Sequence, residues 1–231
     1  EIYLCEFIGN QAGIVVNSAR GNSNVEVKNS FFHNNERLYP DQGGAIYNRA
    51  AIGIANTLVN HCTFSKNKAW NGGTISTGDS KNVFTEVKNS TFTENIASNN
   101  GACLYADGSG YPSSKTVKTE NCVFYKNNAF RGSAIYLQSY LYVYAPVILN
   151  IKNSTFHDNK VRTGFGGVIY TEGGAPSTTM QGSVIYSDFK NAVYSYGANT
   201  AATFSSGGYN YFSDSIASST FIQGGIATTD V

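Results

Sequence analysis

"NSTFTENIASNNGACLY", residues 89–105, carries a Phe followed three residues later by Asn, then a short polar stretch, then a Gly-led apolar tetrad. Nearly the same phrase stands at 29–47 (NSFFHNNERLYPDQGGAIY), 61–76 (HCTFSKNKAWNGGTIS), 121–136 (NCVFYKNNAFRGSAIY) and 153–170 (NSTFHDNKVRTGFGGVIY). Five copies of a two-part phrase define a repeat protein, in which stacked units share one continuous core.

With the central Phe as reference the units fall at Phe7, Phe32, Phe64, Phe92, Phe124 and Phe156, with a degenerate seventh at Ile185. The spacing varies between 25 and 32 residues. That irregularity suits a solenoid whose loops differ in length while its strands do not. The first and last units align without a gap, "CEFIGNQAGIVV" (5–16) on "SVIYSDFKNAVY" (183–194). Each unit begins with a period-2 strand, as at Val25-x-Val27 and Thr85-x-Val87. A polar pivot follows: Asn29, His61, Asn89, Asn121 or Asn153. Asn is the non-glycine residue that most readily enters the left-handed region, so the pivot is read as a one-residue corner.

Beyond the corner lies a column of small residues (Ser30, Cys62, Ser90, Cys122, Ser154), and two residues on the Phe column points inward. A polar loop then leads to a third inward column, Ile46, Ile75, Leu104, Ile135 and Ile169. Helix signals are absent, and Val, Ile, Thr and aromatics dominate the apolar segments. Strands that return at the same place in every unit pair in parallel with their copies. The expected fold is therefore all-β: a right-handed parallel β-helix of about seven coils with three short strands per coil, the hand following from the crossover rule. Residues 1–231 read as one such domain, regular over 1–195 and degenerate over 196–231.

Several functions are excluded by composition. Sixteen Lys+Arg stand against fifteen Asp+Glu, so no basic footprint for nucleic acid or an anionic membrane exists. No stretch is long and apolar enough to span a bilayer as a helix. The repeated Asn35, Asn67, Asn95, Asn127 and Asn159 read as an internal amide ladder, each side chain accepting from one coil and donating to another. Cys5, Cys62 and Cys122 fall on alternate coils, about 10 Å apart, beyond disulfide reach; all four thiols, Cys103 included, are expected to be free and protected in the folded state. His33 and His157 share an outward column too far apart for a metal, so no metal or other cofactor is expected. Acidic residues look scattered over exposed strands, and no catalytic residue is assigned.

One insertion, "YLQSYLYVYAPVILN" (136–150), places Tyr140, Tyr142 and Tyr144 on one face and is the candidate binding patch, for sugar stacking or a protein contact.

The alternation of FHNN, FSKN, FTEN, FYKN and FHDN with GGAI, GGTI, GACL, GSAI and GGVI resembles the repeat of the chlamydial polymorphic membrane proteins. Those are autotransporter passengers regarded as adhesins. The resemblance covers roughly residues 1–195 and implies an exported, cell-surface protein. The ending "SSGGYNYFSDS" also looks like the closing coils of bacterial secreted β-helix proteins. The reading is a non-enzymatic extracellular adhesin or structural filament protein. Its partners would be a host surface, a glycan or protein receptor, or further copies of itself end to end. The rival reading is a secreted polysaccharide-binding or polysaccharide-cleaving protein. The chain opens inside a coil and closes on the β-prone "STFIQGGIATTDV" (219–231), which points to a longer solenoid or to longitudinal assembly.

Overall fold

In the computed structural model the described residues are 1–11, 13–37, 39–78, 80–107, 114–139, 145–162, 167–186, 192–197 and 202–212, with the backbone of 222–223. The quoted stretch shows how one coil is built. Asn82–Lys88 lies in sheet A, Thr91–Thr93 in sheet B, Ile96–Ala97 in a small sheet D, and Leu104–Asp107 in sheet C. Among the described residues the strands pair in parallel with their copies in neighbouring coils, giving sheets of nine (A), eight (B), seven (C) and four (D) strands. Sheet D, two residues per strand in the four middle coils, is an addition to the three strands expected.

The register is the one the Phe column predicts. Phe7, Phe32, Phe64, Phe92, Phe124, Phe156 and Ile185 pair in succession. Their rings stack with centroids 4.6–5.0 Å apart and within 15° of parallel. From Phe32 to Phe156 each is fully buried, a placement that stabilises by roughly 2–3 kcal/mol per ring plus a smaller stacking contribution. Phe212 continues the column beyond Ile185.

The predicted corner is equally direct. Asn29, His61, Asn89, Asn121 and Asn153 have φ between +47° and +55°. The small residue after it closes the turn: Ser90 Oγ donates to the Lys88 carbonyl and accepts from the Cys62 amide. The Gly-led segment is a tight approach, since a Cβ on Gly73 would stand 2.3 Å from the Ile96 carbonyl oxygen, and Gly72 has φ +57°.

One local expectation is corrected. The terminal units do not align without a gap: Phe7 corresponds to Ile185, but Ile14 corresponds to Val193 through the sheet C register, so one extra residue lies in the later loop. Pro146 and Pro176 stand at the entry of strands Pro146–Lys152 and Ala175–Gln181, where a missing amide is tolerated. The core is also less apolar than the alternation implies. Thr57, Thr77 and Thr85 join hydroxyls at 2.9 and 3.1 Å between sheets A and C, and Lys115 is fully buried on an inward position of sheet A, donating to the Ser80 carbonyl.

Candidate functional site

The amide ladder organises the outer surface. Asn35, Asn67, Asn95 and Asn127 each donate from Nδ2 to Oδ1 of the next Asn, at 2.9–3.1 Å, and all five amides, Asn35 to Asn159, also reach the Phe carbonyl of the preceding coil. To bring these side chains inside, the residue before each must turn through the left-handed region. Asn34, Lys66, Glu94, Lys126 and Asp158 have φ of +53° to +55°. Except for Asn and Asp these residue types have no preference for that conformation, which costs about 1 kcal/mol or more each. The buried ladder outweighs it and fixes a second corner between sheets B and D.

That second corner carries an open groove of about 1020 Å³ crossing four coils. Going up the solenoid, its wall presents Lys66 and Lys68, then Glu94 and Ile96, then Lys126 and Asn128, then Asp158 and Lys160. Lys68 pairs with Glu36 at 2.8 Å and Lys66 approaches Glu94 at 3.9 Å. Lys126 and Lys160 have no ion pair within 4 Å among the described residues. The Lys126 ammonium lies 4.9 Å from the Tyr125 ring centre, and its pKa is raised, first by a hydrogen bond with Tyr125. Aromatics flank the groove on both sides. On sheet B, Tyr125, His157 and Tyr186 stack outward at 5.6 and 5.0 Å. Two residues beyond the groove column, Trp70 and Phe130 also face outward, the latter 41% exposed. Arg162, on the same outward column, donates to the Ala97 and Ser98 carbonyls two coils away, at 2.6 and 2.8 Å.

A second constellation covers the outer face of sheet C. Tyr105, Tyr136, Tyr170 and Tyr194 stack at 4.9–5.6 Å, and the first three are buried. Two positions along each strand stand Asp107, Gln138 and Glu172 in one column. The Tyr105 hydroxyl donates to Asp107 at 3.0 Å and that of Tyr136 to Glu172 at 3.1 Å, while the Arg131 guanidinium lies 5.8 Å from the Tyr170 ring. Burial, followed by the Glu172 carboxylate, raises the pKa of Tyr136 and Tyr170, so both hydroxyls remain protonated donors.

The predicted patch, Tyr140, Tyr142 and Tyr144, lies outside the described residues. The acidic residues are not all scattered: Asp107 and Glu172 share a column two coils apart, and its signal was the residue two after each tyrosine in "LYAD", "IYLQ" and "IYTE". The thiols are free as expected, but only Cys62, Cys103 and Cys122 are buried; Cys5, in the first coil, is partly exposed and departs from the expected protection.

The sequence profile of the family described as "right handed beta helix region" matches residues 1–145, well over half of the chain. The chain belongs to the right-handed β-helix family. No curated protein and no solved structure matches it. Membership gives the parallel solenoid its hand, and the right-handed β-helix supplies the scaffold on which the groove and the tyrosine face are built.

Proposed function

We propose that the protein is a non-enzymatic extracellular β-solenoid, displayed at a cell surface as an adhesin or structural surface element. The observation that carries the reading is the groove at the second corner, an open channel along four coils with exposed aromatics on both flanks and two lysines, Lys126 and Lys160, that make no ion pair within 4 Å among the described residues. A surface of this kind suits an extended partner lying along the solenoid axis, since Tyr, Trp and Phe supply rigid contact area and the lysines supply charge. The repeat's resemblance to the chlamydial adhesin passengers supports the same reading. Its partner would be a host-surface glycan or protein receptor, or a further copy of the chain; no cofactor is called for. The test is attachment of the purified protein to cells and to immobilised glycans, with product release measured in parallel on uronate-rich and neutral polysaccharides. Attachment without turnover is the expected result, and catalytic turnover overturns it.

The second reading, polysaccharide cleavage, is favoured by one observation. Asp107 and Glu172 lie two coils, about 10 Å, apart beside protonated tyrosines, near the upper end of the separation used by inverting glycosidases. Under it, Asp107→Asn and Glu172→Gln would each abolish turnover with the fold unchanged.

A further inference from the structure

We propose that the outer face of sheet A binds a second copy of the chain in antiparallel orientation, about a two-fold axis that runs along the strands. The proposal rests on the part of the adhesive reading that admits a further copy as partner, and it names the face that copy would use.

The face is continuous. Strands Ser23–Lys28, Ile54–Asn60, Asn82–Lys88, Lys115–Glu120, Pro146–Lys152 and Ala175–Gln181 pair in register from coil to coil, and alternate residues of each point outward. At its middle, Glu86 and Lys88 lie beside Lys118 and Glu120, a two-by-two checkerboard in which the signs alternate along the strand and across the coils. Toward the strand entries the face turns apolar: Ile54 and Leu58 are each 37% exposed, and Phe84 and Ile148 are half-buried. The Lys118 ammonium, 5.4 Å from the Phe84 ring centre, joins the two halves.

A flat checkerboard is its own complement in few orientations. Turning a second copy over about an axis parallel to the strands, between Asn82–Lys88 and Lys115–Glu120, sets each outward column against its own copy with the coil order reversed. Glu86 then meets Lys118 of the second copy and Lys88 meets its Glu120, each contact being made twice by symmetry. The same operation brings the two Phe84 rings together diagonally across the axis, with Ile54 opposite Pro146 and Leu58 opposite Asn150. A charged strip and an apolar strip are thus covered together, as in specific interfaces. Moving the axis onto either central strand sets its charges against themselves, which like-charge repulsion rejects. Moving it one coil toward Ile54–Asn60 still joins Glu26 to Lys118, but Pro146–Lys152 would then face Ile2–Tyr3, a strand too short to cover it. A parallel pairing about an axis along the solenoid joins Glu86 to Lys88, yet it lies along one edge of the sheet and leaves Ile54, Phe84 and Ile148 uncovered.

The face measures about 24 Å across its strands and about 20 Å along them. Two copies would cover roughly 1,000 Å² in all, the lower limit of specific interfaces and the size of transient ones. Association is therefore expected to be weak, with Kd on the order of 10–100 µM and rising with salt.

The experiment is sedimentation equilibrium of the chain over a concentration series that brackets this Kd, at low and high salt. A monomer–dimer equilibrium that stops at two copies is expected, because a two-fold contact is closed. Glu86→Lys and Lys118→Glu are each expected to weaken it at least tenfold, since each sets like charge against like twice per dimer. Mixing the two variants is expected to restore association to the level of the unaltered chain, because the reversed site of one faces the reversed site of the other. The parallel pairing gives no such rescue: there the reversed sites face Lys88 and Glu120. Circular dichroism checks that each variant keeps the fold. A monomer at every concentration, growth beyond two copies, association indifferent to either reversal, or variants that stay apart when mixed overturns the proposal. The two readings fail separately. A monomer that still attaches to cells overturns the pairing and leaves the adhesive role, whereas a dimer that cleaves polysaccharide overturns the adhesive role and leaves the pairing.

Discussion

Asn95→Ala removes the middle rung of the internal ladder, and the structure gives the size of the effect. Asn95 Oδ1 accepts from the Asn67 backbone amide at 2.9 Å and from Asn67 Nδ2 at 3.1 Å; its own Nδ2 donates to the Phe64 carbonyl at 3.1 Å and to Asn127 Oδ1 at 3.0 Å. Asn127 Oδ1 keeps the Asn95 backbone amide at 2.9 Å, so it is not stranded. Two groups are, the Asn67 amide and one Asn67 side-chain proton, whereas the Phe64 carbonyl keeps its place in the parallel ladder of sheet B. Asn67 and Asn95 are both fully buried, so water does not replace the lost partners. At about 1–3 kcal/mol for each buried unsatisfied group, with some relaxation of neighbouring rungs, the expected loss is about 4 kcal/mol. That is a large part of the roughly 5–15 kcal/mol that separates a folded domain from its unfolded chain. Asn10→Ala is the comparison. Asn10 is exposed and its Nδ2 makes a single bond to Asn35 Oδ1 at 2.8 Å, so its loss is expected below about 1 kcal/mol. Urea unfolding measures both, and hydrogen exchange at the Asn67 amide shows whether the damage begins at the predicted rung. A loss under about 1 kcal/mol for Asn95→Ala in a folded protein, or equal losses for the two variants, would refute the idea that the ladder holds the second corner.

At the second corner, Glu94 has φ +55°, so Glu94→Gly is expected to be neutral to about 1 kcal/mol stabilising and Glu94→Val to cost about 1–2 kcal/mol, read from urea midpoints. Burial raises the Cys122 pKa from 9.0 to about 11 and that of Cys103 well above 9.0; at pH 9 native Cys122 is then ionised to about 1% against half for an ordinary thiol, and alkylation followed by intact mass should show Cys5 reacting first and at least tenfold slower labelling of the others until denaturant is added. Because these thiols and Tyr136 titrate higher when folded, the unfolded chain releases its protons first: their contribution to stability is complete below pH 9 and declines as pH rises through the range from 9 to 11, which a series of urea midpoints tests. Lys88 bridges Glu86 at 3.3 Å and Glu120 at 3.8 Å on the exposed face of sheet A, yet these are solvent-screened pairs, so Lys88→Met should change stability by less than about 1 kcal/mol and remove a salt-sensitive part of it.

The sequence by itself determined the elements that repeat without regard to distance along the chain. The strands, the inward Phe and Ile columns, the Asn corners and the amide ladder are all legible because each is a local pattern copied coil after coil, and copies of one side chain stacked at strand spacing make a core. Only the tertiary structure decided what lies across coils where the copies differ. Left-handed Lys66, Glu94 and Lys126 have no local signal, since the conformation is imposed by the buried Asn that follows each of them. Loops of unequal length conceal which outward residues align, so the pairing of Trp70 with Phe130, of Tyr125 with His157 and of Asp107 with Glu172 appears only when parallel ladders fix the register. Inward positions are constrained by the one core they share, and their chemistry is readable in any coil. Outward positions are free to vary, and the surface they form depends on the stacking that brings them side by side.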